Sequence, residues 1–218
     1  MWCKLCGNLC DFNLCPSCEQ RLKEASYAFL YKEQCPVCGS PVLDQSYVCG
    51  VCRHQSYSYG PYGKTLATLI RRYKIDGERS LHPVLAALYT TMLSRIENPL
   101  LIPIPCSWEG YRRRGFDQML CIAKYLEKTE GYRSLSLFKR RRGKQVKLLS
   151  KRDRLASQPM EITHAKRNIA CFKHLVEAGY RVVLIDDVSA SGTTMQQAKT
   201  LLSHTFGCNA TGMVLTNV

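Results

Sequence analysis

The stretch over residues 181–195, RVVLIDDVSASGTTM, constrains the fold of this chain more than any other. Arg181, Val182, Val183, Leu184 and Ile185 read as a buried strand, which runs into Asp186 and Asp187 and then into a small-residue loop over 189–194. Beyond the loop, Met195, Ala198, Leu201 and Leu202 recur at helical spacing, so a helix is predicted to start at Thr193 or Thr194. Strand, tight loop and helix N-terminus in that order build an anion site. Ser191, Gly192, Thr193 and Thr194 can aim N–H groups and hydroxyls into one concavity, where the positive end of the helix dipole favours a phosphate.

Two carboxylates beside a bound phosphate repel it unless they face something else, such as sugar hydroxyls or a magnesium ion. A sugar phosphate with a free diol satisfies both Asp186 and Asp187. The string has neither the lysine of a Walker loop nor the glycine spacing of a dinucleotide site. The plainer alternative is an ordinary strand-to-helix turn with a capping aspartate. As a whole, the stretch resembles the 5-phosphoribosyl-1-pyrophosphate (PRPP) signature of type I phosphoribosyltransferases. The resemblance implies a PRPP site made of Asp186, Asp187, Ser189, Ala190, Ser191, Gly192, Thr193 and Thr194, with Mg²⁺ accompanying the ligand. Ala190 departs from the threonine common in that loop, which removes a hydroxyl and keeps the backbone N–H.

The 218 residues leave room for one medium domain and a small appendage. Thirteen cysteines are far more than an ordinary globular domain carries, and eight of them form pairs: Cys3 with Cys6, Cys15 with Cys18, Cys35 with Cys38, and Cys49 with Cys52. Each Cys-x-x-Cys can wrap two sulfurs around one tetrahedral ion, and Gly7, Gly39 and Gly50 sit beside three of these knuckles. One or two structural zinc ions are expected, with the order of pairing left open and Cys10 able to substitute in the first set. Four thiolate pairs argue against redox use, and full thiolate sets leave no position for catalysis. His54 is a surface histidine or a spare ligand. Between the sets, Leu22, Ala25, Phe29 and Leu30 predict one helix over 20–33. No apolar run is long enough for a membrane span and the N-terminus lacks the pattern of a signal peptide, so a cytoplasmic setting is expected.

The net charge of +14 lies outside the cysteine-rich part, since residues 1–56 carry five basic and five acidic side chains. Polyanionic partners follow: nucleic acid or pyrophosphate-bearing ligands. Residues 57–79 read as a Tyr/Gly/Pro loop that enters an amphipathic helix with Leu66, Leu69, Ile70 and Tyr73 inward and Lys64, Arg71, Arg72 and Lys74 outward. The tyrosines of 57–62 either stack on bases or pack as core and linker. A second helix is predicted over 82–96, a buried strand over 100–104 and a turn at Pro105, Cys106 and Ser107. Then comes a run with Arg112, Arg113 and Arg114, ahead of a helix over 119–126. Residues 138–154 hold nine Lys/Arg against one acid, a surface segment that is simply solvated, closes on pyrophosphate, or contacts nucleic acid through Lys139, Arg140, Arg141 and Arg142. The 160–173 stretch carries only a weak helical signal, and 207–218 suggests a last strand beside 181–185.

Pro103-x-Pro105, the basic run, the sequence Arg114 to Gln118 (RGFDQ) and the four cysteine pairs together resemble the ComF competence family. Asp117 stands where that family more often has asparagine. The resemblance implies an α/β fold of type I phosphoribosyltransferase kind with a mostly parallel sheet, over residues 57–218, and a small N-terminal zinc module of four-cysteine type over 1–56. It implies that Cys106 and Ser107 lie over the pyrophosphate and that Lys144, Lys147 and Arg154 close as a flap, Gln145 and Leu149 matching the family's flap pattern. It also implies a role in natural transformation, handling incoming single-stranded DNA with a helicase-like ATPase partner. Transfer of ribosyl phosphate to an unidentified acceptor is the alternative.

Overall fold

The computed structural model describes residues 1–31, 35, 56–140 and 160–217. The predicted 20–33 helix is two short helices, α1 (Pro16–Glu24) and α2 (Tyr27–Leu30). Pro16 opens α1 at a position where its missing N–H costs nothing, and Ser26 breaks the run by capping α2 through a hydroxyl that accepts from the Phe29 N–H. Next, the Tyr/Gly/Pro start of 57–79, expected as a loop, proves to be largely strand β1 (Ser56–Pro61), followed by helices α3 (Lys64–Lys74) and α4 (His82–Leu93) with a 3-10 turn between them. Strand β2 (Pro99–Pro103) follows, then α5 (Trp108–Arg114), α6 (Gln118–Thr129) and the short strands β3 (Arg133–Ser134) and β4 (Phe138–Arg140). The chain ends with β5 (Met160–Ile162), α7 (Lys166–Glu177), β6 (Arg181–Ser189), α8 (Thr193–Phe206) and β7 (Thr211–Asn217).

Among the described residues the main sheet is a five-stranded parallel one, in the order β1-β7-β6-β2-β3. β2 is buried along its whole length, as a central parallel strand covered on both faces must be. Alternation along the strands divides the core in two. Leu101, Val183, Ile185, Met213 and Leu215 face α3, α4 and α6, whereas Leu100, Ile102, Val182, Leu184 and Val214 face Phe172 of α7 and Met195, Ala198 and Leu202 of α8. The architecture is therefore α/β with three layers.

The N-terminal residues belong to the first of these cores. Cys3, Leu5, Leu14, Cys18 and Leu22 cluster with Tyr59, Leu66 and Leu69, and the Tyr59 hydroxyl donates to the Leu22 carbonyl at 3.1 Å. Tyr59 is buried, Tyr57 half-buried and Tyr62 exposed, so the first two serve packing.

β1 approaches α1 so closely that a Cβ on Gly60 would lie 2.1 Å from the Ala25 carbonyl oxygen. Gly60→Ala is expected to push the α1–α2 corner away from the sheet and cost about 1–3 kcal/mol, the usual range for overpacking. Chemical denaturation would show it, and an unchanged midpoint would mean that this contact is not made in solution.

Candidate functional site

Connections leave β2 and β6 in opposite directions. From β2 the chain crosses by α6 to β3 at one edge, and from β6 it crosses by α8, on the other face, to β7. The carboxyl ends of neighbouring strands whose connections diverge leave a crevice, the usual ligand position in an open parallel sheet. Pro103 pairs with Ile185, and the Ile104 N–H donates to the Ile185 carbonyl at 3.0 Å, so the loop after β2 starts beside Asp186.

β6 does not stop at Ile185. Pairing with β7 carries it on through Asp186↔Val214, Val188↔Thr216 and Ser189↔Asn217. The two aspartates are thus consecutive residues of a strand and point to opposite faces. Asp187 lies beneath the sheet, 2% exposed, with Oδ1 accepting from Lys74 Nζ at 2.8 Å and Oδ2 from Gln118 Nε2 at 2.8 Å. Both oxygens are occupied by the protein itself. Asp186 is partly buried on the other side, and its Oδ1 accepts the Asp187 N–H at 2.9 Å. Burial, with Asp187 adding repulsion, pushes its carboxyl up to about 7, against the pull of Lys74, the Asp187 N–H and Arg140.

Ser189 is partly buried, and Ala190, Ser191 and Thr193, which follow at the carboxyl end of β6, are exposed. Gly192 takes φ +70°, a left-handed conformation open to glycine, and serves as the N-cap of α8 without offering a side chain to the first-turn N–H groups. The Ser191 and Thr193 hydroxyls are 2.8 Å apart and the Thr193 N–H donates to Ser191 Oγ at 3.4 Å. Hydroxyls and helix-start N–H groups so grouped can receive an anion.

Across the crevice, Asp117 organises the β2 loop. It caps α6 through the N–H groups of Met119 and Leu120, and its other oxygen accepts the Cys106 N–H at 2.9 Å. Burial, helped by Asp117, pushes the Cys106 thiol up to about 11, so it stays protonated at neutral pH. Ser107 caps α5, its Oγ accepting the Gly110 N–H. β4 and β5 pair antiparallel with Arg140 opposite Met160, and Arg140 Nε donates to the Pro105 carbonyl at 2.8 Å. Lys144, Gln145, Lys147, Leu149 and Arg154 lie outside the described residues, as do Arg141 and Arg142.

The comparisons with known proteins bear on this arrangement. Competence protein ComFC of Bacillus subtilis (strain 168) is 25% identical over 203 residues, covering 86% of this chain and 77% of that protein. Competence protein ComFC of Streptococcus pneumoniae (strain ATCC BAA-255 / R6) is 25% identical over 204 residues, covering 89% and 83%. No family model matches the chain. The chain is ComFC-like.

In this ComFC-like chain, Cys3, Cys6, Cys15 and Cys18 converge with all four sulfurs within 4.8 Å of one another. The Cys6 and Cys15 sulfurs are 3.7 Å apart, close to the edge of about 3.8 Å that a tetrahedron of ~2.3 Å zinc–sulfur bonds would have. The set can hold a metal ion and is consistent with structural zinc. It closes the first two pairs in sequence order. Cys10 stands apart, its Sγ donating to the Phe12 carbonyl at 2.9 Å. Burial opposes ionising Cys3, yet the N–H groups of Cys6, Cys15 and Leu5 outweigh it and bring the thiol down to about 6. Burial and the neighbouring thiols push Cys18 the other way. Cys35 is buried, and Cys38, Cys49, Cys52 and His54 lie outside the described residues. No helix among the described residues is long and apolar enough to cross a membrane.

Several cations grouped by sequence as nucleic-acid candidates have partners inside the protein. Lys74 pairs with Asp187; Arg114 Nη1 donates to the Lys74 carbonyl at 3.0 Å; Arg72 donates to the Lys4 carbonyl; and Lys139 pairs with Glu161 at 3.2 Å. Arg71, Arg112 and Arg113 are exposed.

Lys74→Met is expected to destabilise the fold by about 3–5 kcal/mol at neutral pH, because it strands a buried carboxylate. A loss below about 1 kcal/mol, the size of a surface ion pair, would mean that the pair is solvated. Chelation at neutral pH is expected to unfold the knuckle, seen as a shift in emission of exposed Trp2. Zinc should restore it in the wild type but not in Cys18→Ser, and indifference to chelator would show that the thiols hold no metal.

Proposed function

We propose that this chain is a competence protein that handles incoming single-stranded DNA and keeps a binding site for Mg²⁺-PRPP in the β2/β6 crevice. The observation that carries the reading is the juxtaposition, at the diverging ends of these strands, of Asp186 with the Ser191–Gly192–Thr193 start of α8. The 5-phosphate sits on the N–H groups and hydroxyls of Ser191, Gly192, Thr193 and Thr194. Asp186 faces the ribose diol or the magnesium ion. Asp187 acts one step back, by fixing α3 and α6 against the strand. The pyrophosphate points to the Cys106–Ser107 loop and the basic residues beyond Arg140. The competence role is taken from the two ComFC proteins, and the excess of basic side chains in the main body suits a DNA strand.

In this reading residues 1–56 form a zinc module, with a second ion held by Cys35, Cys38, Cys49 and Cys52, and residues 57–218 carry the phosphoribosyltransferase-type domain. The module docks a helicase-like ATPase.

Calorimetric titration of PRPP with Mg²⁺ into zinc-loaded protein tests the site. Saturable binding is expected, weakened by Asp186→Asn and by Thr193→Val. Because the Asp186 carboxyl is raised to about 7, it is protonated below that pH and must lose the proton to accept a hydroxyl or bind a cation. Affinity should therefore rise as pH increases through about 7, with proton release visible as a buffer-dependent heat. Wild-type protein that takes up no PRPP would remove the ligand from the proposal, and binding indifferent to Asp186→Asn would place it elsewhere.

A further inference from the structure

Helix α5 leaves two large rings in water. Trp108 is 48% and Tyr111 45% exposed, and their rings lie 6.2 Å apart with planes only 10° from parallel. Elsewhere in the body Tyr73, Tyr89 and Phe172 are fully buried, so ample apolar space existed for aromatic side chains. Arg112 follows Trp108 by four residues and shares its side of the helix, and Arg113 is exposed next to it. The third arginine of the run, Arg114, turns inward to the Lys74 carbonyl. Arg114 thus anchors the helix, exposed Arg113 reaches the same carbonyl only at 3.5 Å, and Arg112 stays in solvent on the side of the rings. Glu109 is the one acid on the helix, in its first turn, where the helix dipole accounts for it.

Parallel exposed rings next to guanidinium groups match single-stranded nucleic acid, whose unpaired bases offer π-faces and whose phosphates lie one backbone length away. A duplex keeps its base faces stacked internally and cannot use the rings. An acidic protein partner would take the arginines and leave the rings unexplained. We propose that Trp108 and Tyr111 form a base-stacking platform for single-stranded DNA, with Arg112 and Arg113 on its phosphates. This rests on the reading that the chain handles such DNA, and adds where the strand lies. Since α5 begins directly after the β2 loop, DNA on the platform runs past the mouth of the crevice.

The chain has two tryptophans, so in zinc-loaded Trp2→Phe protein Trp108 is the sole reporter. Titration with oligothymidylate should quench and saturate its emission, and an abasic oligomer of equal length should not. By anisotropy, Trp108→Leu and Tyr111→Leu should each weaken oligothymidylate binding about tenfold and leave the abasic oligomer unaffected, while Tyr111→Phe retains affinity. Arg112→Ala and Arg113→Ala should weaken both ligands and each lower the salt slope by about one. If oligothymidylate binds without quenching and the leucine variants bind equally well, the platform is wrong and the DNA reading stands. Equal quenching by the abasic oligomer, or equal affinity for duplex, likewise overturns stacking. If wild-type protein binds no single strand at all, the DNA reading itself fails and takes the platform with it.

Discussion

Asp187 sits under the end of a parallel sheet with hardly any access to water, and a carboxylate there is tolerable only if its oxygens are matched by donors. Lys74 comes from the last turn of α3 and Gln118 from the first turn of α6, so satisfying one side chain joins three elements that are far apart in sequence. The bond pattern then spreads. Arg114 closes the end of α3 on the Lys74 carbonyl, and the Tyr73 hydroxyl donates to the Gln118 carbonyl at 2.8 Å. Asp117, the neighbour of Gln118, fixes Cys106. The walls of the crevice are therefore set before any ligand arrives. Such pre-positioning reduces the ordering cost of binding.

Much of this was legible from residues 181–195. The apolar run, the loop and the helical stripe after it correspond to β6, the turn and α8, because each is written in local chemistry. What the stretch concealed was where the strand ends. Small residues after the aspartates suggest a turn, but pairing with β7 holds the chain extended to Ser189, and a strand's period of two then separates the aspartates. Val188, a β-branched residue between the acids and the loop, is the one local hint. The same blindness to distant pairing hid β1. Gly60 and Pro61 look like turn residues, yet β1 lies at the sheet edge, where a proline is tolerated, and the glycine answers the Ala25 carbonyl. The helix stripe of α7 was weak for a related reason: Phe172 is its one buried residue.

Cations illustrate a different limit. Composition locates an excess of positive charge but does not say which side chains are committed inside the fold. Lys74, Arg72 and Arg114 lie in runs that read as solvated, and each reaches a carbonyl or carboxylate supplied by a remote segment. Arg112, in the same run as Arg114, stays outside because a helix turns about 100° per residue and only one side of α5 faces the protein, while Arg113, between them, is exposed and touches the Lys74 carbonyl at 3.5 Å. The exposed rings come from the same geometry.

The cysteine knuckle joins this scheme at its other end. Lys4, inside the first Cys-x-x-Cys turn, accepts from Arg72 through its carbonyl and pairs with Glu78 through its ammonium at 3.0 Å, while the Asn13 amide donates to the Ser80 carbonyl at 3.0 Å. All three partners lie in α3 or the turn after it. Two residues beyond Arg72 is Lys74, whose ammonium is on Asp187. An α-helix is stiff over two residues, so the angle at which the knuckle grips α3 is also the angle at which Lys74 enters the sheet. A metal ion that holds the four thiols would thereby brace the underside of the crevice through α3, without contributing a ligand from the sheet itself.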